Sequence, residues 1–196
     1  MPVPELSIPS GAVLFDRLMS TPPGDRESFI DRLLGIAPPP ADVDLPHGAV
    51  PYLPCGVDDI LASVLEAPIK RDDVLVDLGS GLGRIVFLVH LLTGARACGI
   101  ELQEPLVRMA RASCRRLGLV DNVSFVHANA ADVELDGSVF LLYAPCNGAM
   151  LTRVLERIEV VARRRSIIVC AVDLHLDVRW LRPRSTSSLA LTLYDS

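Results

Sequence analysis

The chemistry in this sequence is most concentrated in Val74-Leu-Val-Asp-Leu-Gly-Ser-Gly-Leu-Gly-Arg84, where an apolar run reaches Asp77 and glycines follow at 79, 81 and 83. Glycine lets the backbone turn sharply and lets a ligand approach where a Cβ would otherwise stand. A dinucleotide loop reads G-x-G-x-x-G and seats a pyrophosphate on the helix behind it. Here the third glycine comes one residue early, and Asp77 would repel a pyrophosphate but suit a ligand with a cationic part. The place is also right for a small molecule, because open α/β sheets bind ligands beyond the carboxyl ends of their strands.

Other residues of reactive type are scattered. Cys55, Cys98, Cys114, Cys146 and Cys170 contain no C-x-x-C, so neither a disulfide framework nor a zinc spacing is expected, and no metal site is predicted. Cys146 has no neighbouring His or basic residue to activate it and reads as a buried or site-lining thiol. His47 lies in a Pro-Gly-rich loop that could close over the site as a base. His90, on an apolar helix, and His127, at a strand end, read as structural. Arg84 is expected to pair with a nearby acid, and Trp180 to pack.

These residues need a scaffold to hold them. The 196 residues are 50% hydrophobic, with net charge -5 and mean hydropathy +0.38, which excludes intrinsic disorder. One domain with a real core is expected at this length. The longest apolar stretches, such as Val139–Cys146 and Ile167–Val172, are far shorter than the ~18 residues of a membrane span, so no membrane partner is predicted. No basic residue precedes Arg17 and there is no compact apolar leader, so a cytoplasmic location is expected. Seven arginines face three acids between Arg157 and Arg184, but the acidic whole argues against nucleic acid as a partner. Arg163–Arg165 read as cations at a helix C-terminus.

Eleven of the 15 prolines fall at or before Pro54. Residues 1–55 are therefore read as a Pro-rich cap with two short helices (Gly11–Ser20, Gly24–Ile36), and residues 56–196 as the core. In the core, a helix over Val57–Leu65 precedes strands and helices in alternation. The strands are Asp73–Leu78, Arg96–Glu101, Asn122–His127, Ser138–Tyr143 and Ser166–Val172. The helices are Gly83–Leu92, Pro105–Leu117 and Ala149–Ala162. Such alternation predicts an α/β fold, a doubly wound, mostly parallel sheet covered on both faces. Val178–Leu181 and Leu189–Tyr194 are expected to form a final antiparallel hairpin.

The D-x-G-x-G-x-G loop between strand and helix resembles motif I of class I, Rossmann-like, S-adenosylmethionine-dependent methyltransferases. The resemblance implies that Asp77, Gly79, Ser80, Gly81 and Gly83 hold the methionine part of S-adenosyl-L-methionine. It implies that Glu101, with Leu102 after it, receives the ribose hydroxyls. In the place where the family usually has Gly-Asp-Ala, this chain reads Ala128-Asn129-Ala130-Ala131-Asp132. Asn129 with the Ala130 backbone is then favoured for the adenine, and Asp132 is the rival. Tyr143-Ala-Pro-Cys-Asn147 follows strand four, where the family places its methyl acceptor, and it departs from the Asn-Pro-Pro-Tyr of amino-methylating DNA enzymes. Tyr143 and Pro145 are assigned to the cofactor wall, and Tyr143, Asn147 and Tyr52 to catalysis. Val50-Pro-Tyr-Leu-Pro-Cys-Gly56 before the first core helix is similar to Dot1-like and ATP-synthase-subunit lysine methyltransferases.

The function so implied is methyl transfer to an acceptor left open between protein lysine and a small molecule. A cofactor-binding regulatory partner without transfer activity is the alternative, and an NAD-dependent oxidoreductase a more distant one. The oligomeric state is not fixed by the sequence.

Overall fold

A computed structural model describes residues 8–41 and 43–196. The first seven residues of the cap expected from the sequence, with Pro2 and Pro4, lie outside the described residues, as does Asp42. Seven strands form one sheet in the order β3-β2-β1-β4-β5-β7-β6. The strands are β1 (Val74–Leu78), β2 (Arg96–Glu101), β3 (Val123–His127), β4 (Val139–Tyr143), β5 (Ile168–Val172), β6 (Arg182–Arg184) and β7 (Leu191–Asp195). Strands β1 to β5 are mutually parallel. β7 runs antiparallel to both β5 and β6, so the expected α/β sheet with a terminal antiparallel hairpin is present.

The apolar runs of the sequence become the middle of this sheet. Val139, Phe140, Leu141 and Leu142 of β4 are all essentially inaccessible, because both faces of a central parallel strand are covered. Side chains alternate between two cores: Val139 and Leu141 join one, Phe140 and Leu142 the other. The first core lies under α3 (Val57–Glu66), α4 (Arg84–Thr93) and α5 (Glu104–Arg116); the second lies under α6 (Gly148–Ala162). Helix α4 is buried along nearly its whole length, since α1 (Gly11–Ser20) and α2 (Arg26–Leu34) pack on it from outside through Leu14, Leu18, Ile30 and Leu34. Among the described residues no helix is long and apolar enough to cross a membrane.

One strand is displaced from its expected place. The apolar run Val178–Leu181 is not a strand; β6 is Arg182-Pro-Arg184. Leu181 and Val178 instead pack into the second core. β6 is the edge of the sheet, and an edge accepts a proline without a donor and is protected by charged side chains. The connection from β5 is anchored by Tyr194, buried on β7, whose hydroxyl accepts the Leu176 amide at 3.0 Å. Trp180 packs half-buried against the second core, away from the cleft described next.

Candidate active site

At the carboxyl edge of the parallel strands lies a narrow cleft of about 90 Å³. Its floor is the turn after β1. The Gly79 and Ser80 amides both donate to the Ile100 carbonyl, at 2.8 and 3.1 Å, which ties the loop to the neighbouring strand. Gly81 has φ +52, and a Cβ there would strike the Tyr52 ring. A Cβ on Gly79, at φ +86, would stand 2.7 Å from Pro145 Cβ. Both positions need glycine for conformation and for space.

Asp77 is 1% exposed, and neither carboxylate oxygen has a hydrogen-bond partner among the described residues. Burial raises its pKa well above the ordinary carboxylate range, and the Glu101 carboxylate adds to the rise. An isolated buried carboxylate costs several kcal/mol to ionise, so this group holds a proton or waits for a positive ligand. Glu101 is also buried. One of its oxygens accepts the Gly81 amide at 2.8 Å, the other the Gln103 amide at 2.7 Å. A carboxylate has about four lone-pair sites, so both oxygens can still accept hydroxyls.

Glu101, Leu102, Asn129, Ala130, Gly79, Tyr143, Pro145 and Tyr52 all line the cleft. Asp77, Ser80, Gly81 and Gly83 lie in the strand end and loop beneath it rather than in its wall. Asn129 Oδ1 accepts the Ala131 amide at 3.0 Å, and its amide nitrogen donates to Asp132 at 2.8 Å. Asp132 itself pairs with Arg153 and stays out of the cleft. Asn147 is exposed outside it, with its amide donating to the Gly48 carbonyl at 2.8 Å. His47 is exposed and does not line the cleft. His127 contacts the Leu102 carbonyl through Nε2. Cys146 lines the cleft as a buried thiol whose pKa burial lifts to about 11, far from a thiolate nucleophile.

Two features were beyond local sequence reading. A strap from Val43 to Leu53 crosses the cleft and is stitched to the loop after β4: Ala49 bridges Cys146, and the Val50 amide donates to Pro145 at 3.4 Å. Gln103, buried in the wall, accepts the Val43 amide on Oε1 at 3.2 Å. Its only sequence signal was its place two residues after the strand-end acid. Behind the loop, Arg84 makes a forked contact to both Asp31 oxygens at 2.7 and 2.8 Å and donates to the Cys55 carbonyl at 2.8 Å. The expected acid partner of Arg84 is thus on α2, and the pair locks the N-terminal helices to the start of α4.

Two carboxylates, Asp59 and Asp173, stand near the ends of β4 and β5. Ala144 and Asp173, which follow β4 and β5, are the two non-glycine residues of positive φ among those described, at +39 and +50. Burial raises the Tyr143 phenol, and the Asp173 and Asp59 carboxylates add to this. Asp59, in the first turn of α3, has its own pKa raised by burial and next by Asp173. Among the described residues neither of these two carboxylates has an ion-pair or hydrogen-bond partner. Tyr52 is likewise raised, by burial first. Both phenols are therefore neutral at physiological pH.

This donor and acceptor set fits an adenosyl ligand: paired acid oxygens for a ribose, glycine space for a close backbone approach, and an orphaned buried carboxylate for a cationic group. Known proteins agree. The family model described as "Histone methylation protein DOT1" matches residues 57–136. A protein-lysine N-methyltransferase of Saccharolobus islandicus (strain REY15A) is 30% identical over 117 residues, 58% of this chain and 71% of that protein. A ubiquinone/menaquinone biosynthesis C-methyltransferase of Sinorhizobium fredii (strain NBRC 101917 / NGR234) is 28% identical over 104 residues, 52% of this chain but 39% of that one. Among solved structures, an RNA methyltransferase from Salinibacter ruber in complex with S-adenosyl-L-homocysteine superposes with TM-score 0.59 at 27% identity. That match covers 73% of this chain and 92% of the other.

Proposed function

The chain belongs to the class I S-adenosylmethionine-dependent methyltransferase family, and from that premise we propose that its acceptor is the side-chain amine of a protein lysine. What carries this is acid charge near the carboxyl ends of the strands: Asp59, in the first turn of α3, and Asp173, directly after β5, stand outside the cleft wall near Tyr143 with no ion-pair or hydrogen-bond partner among the described residues. The 30% identity to a protein-lysine methyltransferase supports the same choice.

When bound, S-adenosylmethionine supplies a methyl carbon already activated for displacement by a neutral nucleophile. The work left to the protein is placement. Asp77 offers negative charge to the cationic part of the ligand, Glu101 receives the ribose hydroxyls, and Asn129 with the Ala130 backbone borders the adenine. Asp59 and Asp173 draw the lysine ammonium toward the end of β4. The amine must lose a proton before it can attack, and Asp59, with its raised proton affinity, takes it. Tyr143 and Tyr52, both neutral, then hold the free amine in line by hydrogen bonding. The strap and the loop Tyr143–Asn147 select the substrate.

Incubation with methyl-labelled cofactor and lysine peptides, with acetyl-lysine versions as controls, tests this. Label is expected on lysine alone, with KM rising about tenfold in Asp173→Asn, the loss of roughly 1.4 kcal/mol of attraction, and kcat falling as well in Asp59→Asn, which removes the proton acceptor. Label on RNA or on a quinone precursor instead of lysine would overturn the acceptor, and no turnover with any acceptor would favour the regulatory alternative.

A further inference from the structure

The strands have a second end, and it differs in charge. At the amino-terminal edge of the sheet, away from the first cleft, lies a broad groove of about 1220 Å³. Arg71 in the turn before β1, Arg96 at the start of β2, Arg115 and Arg116 at the end of α5, and His90 of α4 line it, and among the described residues no Asp or Glu does. All four arginines are exposed. Arg116 donates to the Leu34 carbonyl. Among the described residues Arg71, Arg96 and Arg115 make no ion pair and no side-chain hydrogen bond.

Helix electrostatics accounts for only part of this. Arg115 and Arg116 complement the carboxyl end of α5, but Arg71 lies outside any helix and Arg96 is on a strand. Like charges gathered along one groove repel, and a bound polyanion would relieve that repulsion. The cations are all guanidinium, whose forked donors match two phosphate oxygens at once. The groove exceeds the roughly 300–1,000 Å³ of a small-molecule site, which suits a polymer. Among the described residues no Phe, Tyr or Trp lines it, so bases find little stacking platform and recognition would run mainly through phosphates, without sequence.

We propose that this groove is a docking surface for the phosphate backbone of a nucleic acid. The acidic total of the chain hides it, because net charge averages over faces; Asp72 and Asp121 adjoin the groove in sequence but do not line it. The inference does not rest on the lysine reading. The two sites occupy opposite ends of the strands, and a five-residue strand separates its ends by roughly 17 Å.

The test is fluorescence anisotropy of the full chain with a labelled RNA of about 20 nucleotides and a duplex DNA of the same length, titrated with KCl. If four phosphates are neutralised, affinity should fall roughly 50- to 150-fold between about 50 and 200 mM salt. Arg71→Ser/Arg96→Ser/Arg115→Ser should weaken binding at the lower salt at least about tenfold and flatten the salt slope. Its circular dichroism and its calorimetric affinity for S-adenosylhomocysteine should not change, which separates loss of the groove from loss of the fold. Absence of binding at low salt, binding insensitive to the triple variant, or stronger binding of a poly-glutamate peptide than of either oligonucleotide would overturn the proposal. The last result would assign the groove to an acidic protein surface. Methylation of the RNA itself would overturn the lysine reading but not this one.

Discussion

The two halves of the cleft are made differently. The half beneath β1, β2 and β3 is built from short-range pieces: a glycine turn, an acid two residues ahead of it, and a second acid at the end of the next strand. The half beside β4 and β5 is assembled across long stretches of chain, from the Val43–Leu53 strap and the loop from Tyr143 to Cys146, with Asp59 on α3 and Asp173 after β5 outside its wall. Recognition of one ligand can be encoded in a local motif. Selection among acceptors calls for parts that vary independently, and distant segments supply them.

Four measurements would break or sharpen that contrast. The largest effect is expected from Gly81→Val, which forces a β-branched residue into a left-handed backbone costing about 1–3 kcal/mol and drives it into Tyr52. S-adenosylhomocysteine affinity by calorimetry should fall at least ~100-fold, with circular dichroism unchanged. A variant that still binds well would show that the loop is not the cofactor floor.

Asp31→Ala comes next. It strands the buried Arg84, whose side chain is 8% exposed, and should lower unfolding free energy in urea by about 3 kcal/mol. The outcome for ligand binding matters as much. If the cofactor half is self-contained, the affinity for S-adenosylhomocysteine stays as it was in the folded fraction; a parallel loss would show that the N-terminal helices are part of that half.

Tyr143→Phe should reduce kcat on a lysine peptide by roughly tenfold, about 1.4 kcal/mol of lost placement, while the calorimetric affinity for S-adenosylhomocysteine is kept. Equal losses in both would erase the distinction between the halves at this residue.

The smallest effect is a proton. Because the native Asp77 carboxyl has a raised pKa, the folded chain holds that proton more tightly than the unfolded chain. Stability of the ligand-free protein should therefore decline as pH rises from the ordinary Asp value toward the raised one. In the same window, binding of S-adenosylmethionine should release up to about one proton, seen as a dependence of binding enthalpy on buffer. Asp77→Asn should abolish both; a persistent release would place the titrating group elsewhere.

The legibility of the sequence follows the same division. β1, its loop, Glu101 and the alternation of strands and helices could be read because each signal lies within a few residues: periodicity, glycine spacing, an acid at a strand end. The Arg84–Asp31 pair joins residues 53 positions apart, and no local pattern names the partner of a buried arginine. The strap looked like proline-rich loop because it is one; only its hydrogen bonds to Pro145 and Gln103 give it a place over the cleft. At the edge of the sheet, propensity favoured Val178–Leu181 over Arg-Pro-Arg, yet packing claimed the apolar residues and left the charged ones to pair with β7. The arginine groove was invisible for a related reason, since Arg71, Arg96 and Arg115 are far apart in sequence and meet only where the strands begin.

Ala144, at φ +39, has a practical consequence for anyone engineering the protein. A glycine at that position would relieve left-handed strain of about 1 kcal/mol or more, so heat resistance is available there from a single substitution. The same glycine would loosen the segment between Tyr143 and Pro145, to which the proposed function gives aim at the acceptor. Position 144 thus marks a place where robustness and fidelity are traded against each other, and a more thermostable version obtained there should be a less discriminating enzyme.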